Sequence, residues 1–164
     1  MPDMKDAMRK AGLLKQRSPD AHGNPQPDTR TEREGNPFPS GYPRYLTDEG
    51  HTRVELVRSE AERIAAHFES VRLKRNQLRA FYDHAKRQQQ RLRYGASFEE
   101  IHPEVAKLKA FAADRAARTN NPIPRSFKEF IDRNVDAVSD EKSFTQGFVP
   151  HFEAVVGYCA RIKD

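Results

Sequence analysis

Tryptophan is absent from the 164 residues, and cysteine occurs once, as Cys159. A lone cysteine rules out an intrachain disulfide and any paired-thiolate zinc site within the chain. Cys159 lies in an apolar run and reads as a small core residue, which fits a reducing compartment. The eight glycines are scattered singly, so no glycine-rich loop can cradle a phosphate. His22, His51, His67, His84, His102 and His151 stand in none of the HxH, HExxH or Cys–His ligand spacings. There is no GxSxG elbow. Glu99 and Glu100 are adjacent, a spacing that does not put two carboxylates on one helical face. No apolar run approaches the roughly 20 residues that cross a bilayer. The first 17 residues lack an apolar signal core followed by a cleavage site. These absences point to a soluble, cytoplasmic protein with no membrane association, metal or cofactor, and they argue against an enzyme.

What is present is positive charge, unevenly placed. The net charge is +5, yet residues 71–126 alone hold 13 basic and 5 acidic side chains. The segments 41–70 and 127–164 are each net acidic by two charges. A basic middle between acidic flanks calls for an acidic partner.

Residues 1–40 have little to fold with. Pro19, Pro25, Pro27, Pro37 and Pro39 crowd a stretch whose chief apolar residue is Phe38. Such composition does not offset the entropy of ordering, so a disordered Pro-rich tail is expected over 1–40 and a helical domain over 41–164. From Gly41 the apolar spacing is helical throughout. Val54, Val57, Ala61, Ile64, Ala65 and Phe68 form one stripe, with Thr47 or Asp48 as its expected cap. Leu78, Phe81, Tyr82, Ala85 and Leu92 form a second, stopped at Gly95. Ser97 and Glu100 have capping-box spacing. Pro103 is expected in the first turn of the helix carrying Val105, Leu108, Phe111, Ala112 and Ala116. After Asn120-Asn121-Pro122, a fourth stripe runs through Phe127, Phe130, Ile131, Val135 and Val138. Phe144, Phe148, Phe152, Val155, Cys159 and Ile162 make the last, and Pro150 predicts a kink or split within it. The predicted fold is all-α, a compact bundle of about five helices.

The second stripe carries the chemistry. Its other sides hold Lys74, Arg75, Arg79, Lys86, Arg87, Arg91 and Arg93 against one acid, Asp83. Lys107, Lys109, Arg115 and Arg118 continue the basic character through the next helix. A regularly charged ligand such as an RNA backbone suits this surface, through contacts that give affinity without sequence preference. The RNA-binding residues predicted here are Arg75, Arg79, Lys86, Arg87, Arg91, Lys107, Lys109, Arg115 and Arg118. Gln77, Gln88, Gln89 and Gln90 are further polar candidates. The alternative reading is a homo-oligomeric helical adaptor whose basic face binds an acidic protein.

Four blocks also carry a family resemblance: QLRAFY at 77–82, KLKAFAADRAAR at 107–118, FKEFID at 127–132 and GFVPHFEAVVGY at 147–158. With YPRYL at 42–46, they resemble the small helical subunit of type III-A CRISPR–Cas interference complexes, the Csm complexes. The resemblance covers about residues 42–160. It implies a non-catalytic subunit of an antiviral RNA-guided complex. Several copies would stack head to tail beside the backbone filament subunits and the large Cas10-type subunit. They would help hold the crRNA–target RNA duplex through basic surfaces. Onto this chain it carries Arg79, Lys86, Arg87, Lys107, Lys109, Arg115 and Arg118.

Overall fold

The structure, a computed structural model, describes residues 35–162. The tail expected over 1–40 lies mostly outside the described residues. Helices follow in order: α1 (Val54–Val57), α2 (Ser59–Ser70), α3 (Arg75–Arg93), α4 (Phe98–Ala116), α5 (Arg125–Ala137) and α6 (Val149–Tyr158). A π-helical segment, Ser143–Phe148, runs directly into α6, and a 3-10 turn, Cys159–Arg161, closes it. The described residues contain no strand beyond an isolated antiparallel bridge between Leu46 and Thr52. The expected all-α bundle is therefore what forms, with α2–α6 as its five substantial helices.

Phenylalanine rings tie the bundle together. Phe68 of α2 meets Phe127 and Phe130 of α5 edge-on, at 5.4 and 5.5 Å between centroids. Phe81 of α3 meets Phe127 at 5.2 Å, and Phe152 of α6 meets Phe130 at 5.2 Å. Edge-to-face packing matches the positive rim of one ring to the negative face of the next. Burying a ring of this size contributes roughly 1.5–3 kcal/mol by area alone. α4 lies against α3 and α5, while α6 lies against α2 and α3.

A buried polar network joins the segment before α1 to the last two helices. The Tyr45 hydroxyl donates to Asn134 Oδ1 at 2.9 Å. Asn134 Nδ2 donates to the Tyr42 hydroxyl at 2.8 Å and to the Phe130 carbonyl at 2.8 Å. His151 Nδ1 lies 2.6 Å from the Leu56 carbonyl, which can only accept, so Nδ1 carries the proton. Nε2 is then an acceptor, and it receives the Tyr42 hydroxyl at 2.7 Å. Every member is buried and every member is partnered, as a low-dielectric interior requires. Close packing supports the network, because a Cβ at Gly147 would overlap the Tyr45 ring.

Proline 150 changes the geometry of the last helix without breaking it: the π-helical segment continues directly into α6. The proline has no N–H for the Gln146 carbonyl four residues back. That carbonyl instead accepts the Thr52 hydroxyl at 2.7 Å, and the turn before it widens to π geometry.

Two expectations need correction. Thr47 and Asp48 cap no helix: residues 47–50 form a turn closed by Gly50 N–H to the Thr47 carbonyl, and α1 starts only at Val54. Pro103 sits in the second turn of α4 rather than the first, because Ser97 caps a helix beginning at Phe98. The described residues just before residue 41 also pack on the bundle. Phe38 is buried, stacks on Tyr42 at 4.9 Å and lies under the Arg133 guanidinium.

This packing has two measurable consequences. Trimming the chain through Ser40 removes Phe38, whereas trimming through Glu34 keeps it. The longer deletion should therefore cost on the order of 2–3 kcal/mol more in denaturant unfolding; equal stability of the two would show that Phe38 contributes nothing. Burial also lowers the His151 pKa from 6.5 to about 4. The unfolded chain then takes up a proton below pH 6.5 that the folded one refuses until about pH 4. Stability should fall through that window as pH drops, by on the order of 3 kcal/mol. His151→Gln should show a lower stability at pH 7 but a smaller loss on acidification; an equal loss in both proteins would contradict this.

Candidate nucleic-acid interface

Burial of one stripe of α3 decides where its charges go. Leu78, Phe81 and Ala85 are buried against the bundle. At 3.6 residues per turn, the cations cannot form one continuous face opposite them. They separate onto two flanks. Arg75, Arg79 and Lys86 follow the flank beside α6, where Arg75 and Arg79 border a shallow hollow with Val156, Gly157 and Ala160. Lys86 Nζ lies 3.9 Å from Glu153 of α6. Arg87 and Arg91 follow the other flank, toward α4.

Between α3 and α4 lies a cleft of about 420 Å³. Its floor is the buried Phe81 and Leu108, and the exposed Ala80 lines it beside Arg87, Arg115, Arg118, Asp83 and Asp114. The Arg115 guanidinium lies 5.9 Å from the Phe81 ring centroid, within cation–π range. Arg118 pairs with Asp114 at 2.7 Å. Both partners are more than half exposed, so the pair is worth at most about 1 kcal/mol and is easily exchanged. His84 is fixed at one end of the cleft. Its Nε2–H donates to the Glu104 carbonyl at 2.8 Å, which leaves Nδ1 as an acceptor, 3.5 Å from an Arg87 nitrogen.

Of the nine predicted residues, the cleft brings together Arg87, Arg115 and Arg118. Arg91 stands one turn further along α3 from Arg87. Lys107 lies on the same side of α4, one turn before Phe111, and pairs with Glu104 at 2.7 Å. Its hydrogen bond holds the Glu104 carboxyl below the usual range. Lys109 is set apart on the opposite edge of α4, bound to Asp136 of α5 at 2.6 Å, a bond that raises its pKa.

Two readings of α3 and α4 change. Gln77, Gln88 and Gln89 are buried, not surface ligands. Gln77 accepts the Lys74 N–H at 3.1 Å and donates to the Asn121 carbonyl at 2.9 Å, tying the start of α3 to the α4–α5 loop. Gln88 accepts from Arg91 at 3.1 Å and Gln89 from Lys86 at 2.9 Å, so these amides brace the cations. Phe111, expected in the core, is 43% exposed and stands at the cleft, its ring edge-on to His84 at 5.5 Å. The buried stripe of α4 is Ile101, Val105, Leu108 and Ala112, and Phe111 falls one position outside it. Among the described residues, no group of three or more His, Cys, Asp and Glu side chains is placed to hold a metal ion, and no helix is long and apolar enough to cross a membrane.

A small all-α bundle with its basic side chains displayed on two adjacent helices is the class that this geometry defines. Residues 51–163 match the family Csm2 Type III-A, and the match spans more than two thirds of the chain. The chain belongs to that family and is a small subunit of the type III-A CRISPR–Cas effector complex. No curated protein and no solved structure matches it.

Phe81→Ala should cost roughly 3–5 kcal/mol of stability, because it empties a site enclosed by Phe127 and the bundle. Phe111→Ala should cost less than about 1 kcal/mol. Denaturant unfolding of the two variants checks both figures, and comparable losses would return Phe111 to the core.

Proposed function

We propose that this subunit holds RNA and does not cut it. Copies of the chain would stack beside the backbone filament and the Cas10-type subunit in the cytoplasm, presenting α3 and α4 to the crRNA–target RNA duplex. The observation that carries this reading is the arrangement of cations on the two flanks of α3. Arg75, Arg79 and Arg87 are exposed and form no ion pair among the described residues. Lys86 and Arg91 are held in place by buried amides. From Arg75 to Arg91 the helix extends roughly 24 Å, at 1.5 Å per residue. A polyanion lying along either flank meets more than one cation, with nothing in those flanks that reads a base sequence. The exposed pairs at Lys107 and Arg118 are weak enough to open toward phosphate.

One subunit offers few such cations, so affinity should come from several copies engaging one duplex. A non-catalytic role is consistent with this arrangement, in which arginines and lysines dominate and, among the described residues, no group of three or more His, Cys, Asp and Glu side chains is placed to hold a metal ion.

The reading is tested on the assembled complex with Arg75→Glu, Arg79→Glu and Arg87→Glu combined. Target RNA capture should weaken for all target sequences alike. The dependence of log affinity on log salt should flatten by about one for each phosphate that the variant no longer neutralises. An unchanged slope in a fully assembled variant would remove these residues from the RNA. Failure to assemble would mark them as an interface with a neighbouring protein, and the adaptor reading would replace this one.

A further inference from the structure

We propose that the cleft between α3 and α4 receives an unpaired nucleobase, in addition to the phosphates held along the flanks. The inference rests on the RNA-holding reading and concerns what this one site takes. A surface built for phosphate alone needs only donors and positive charge, since phosphate oxygens only accept. This cleft is different. Asp83 and Asp114 stand on its rim among Arg87, Arg115 and Arg118. Asp83 forms no ion pair among the described residues, and His84 Nδ1, an acceptor 3.5 Å from an Arg87 nitrogen, holds that guanidinium at the cleft. A carboxylate facing a phosphodiester is repulsive. Facing a base edge, it accepts from ring N–H or exocyclic NH₂ groups while the arginines donate to ring nitrogens and carbonyl oxygens.

The apolar part of the cleft fits the same ligand. Its floor is Phe81 and Leu108, and Phe111 stands beside it with 43% of its surface in solvent. That ring is not loose, since His84 packs against it and is itself held by the Glu104 carbonyl. A braced, exposed aromatic next to a guanidinium is the platform on which bases stack. The volume of about 420 Å³ falls at the lower end of small-ligand sites. A base within a duplex has its edge paired and its faces stacked, so only a base splayed out of the helix or in a single strand can enter.

The test uses the full chain and an oligoribonucleotide of about ten nucleotides, a length of one site. One version carries a single fluorescent 2-aminopurine, and a second carries an abasic residue at the same position. The wild-type protein should bind the base-bearing strand about tenfold more tightly and quench its fluorescence, the scale of one base–aromatic stack. Phe111→Ala should abolish that tenfold preference and leave the salt slope unchanged. Asp83→Asn removes a negative charge. It should weaken the base-bearing strand relative to the abasic one, whereas a phosphate-only site would bind both more tightly. Equal affinity of the wild type for the two strands, with a normal salt slope, would overturn the base site and leave the RNA-holding reading intact. No salt-dependent binding of either strand by the chain alone, and none by the assembled complex, would overturn both.

Discussion

The packing of Phe81 against Phe127 anchors the surface that matters. It places the apolar stripe of α3 on the bundle, and the helical repeat then fixes every other side chain of that helix. Arg75, Arg79 and Lys86 have no place but the flank beside α6. Arg87 and Arg91 have none but the flank toward α4. The ring also forms the floor of the cleft and lies under the Arg115 guanidinium. One buried ring pair thus sets the position of both groups of cations, and the charge distribution follows from how the core packs. The buried amides of Gln88 and Gln89 add a second constraint, since each holds one cation by its carbonyl oxygen.

The far side of the bundle is fixed by polar rather than apolar complementarity. Tyr42, Tyr45, Asn134 and His151 leave each other no unmet hydrogen bond, which ties an irregular segment to α5 and α6. Gly147 permits the approach of Tyr45, and Thr52 supplies the hydrogen that Pro150 lacks. These features fall close together, and each compensates for an irregularity in the other segment. The extended chain before α1 is accordingly part of the fold's architecture and not a lead-in to it.

The helical periodicity of the sequence located α2 to α6, because apolar residues three and four apart have one way to meet a core. It placed Leu78, Phe81, Ala85, Phe127, Phe130 and Phe152 correctly inside. It failed where burial is polar. Gln77 and Gln88 lie four before and seven after Phe81, spacings that match the buried stripe, but an amide does not register as apolar. Phe111 misled in the opposite way, since hydrophobicity alone counted it inward while the 101, 105, 108, 112 series excludes it. His151 was beyond reach for another reason. Its partners Tyr42 and Leu56 are 109 and 95 residues away, and no local pattern encodes such pairings. The basic residues were legible as a set, but their division into two flanks needed the neighbours of α3.

A structure of the assembled type III-A complex with guide and target RNA, determined by electron cryomicroscopy, measures the relation between this surface and the RNA directly. Arg75, Arg79 and Arg87 should lie within ion-pair distance of RNA phosphates, with Arg115 and Arg118 facing the same RNA across the cleft. A map in which another protein subunit covers α3 and α4, with no nucleic acid near these side chains, would contradict the RNA-holding role.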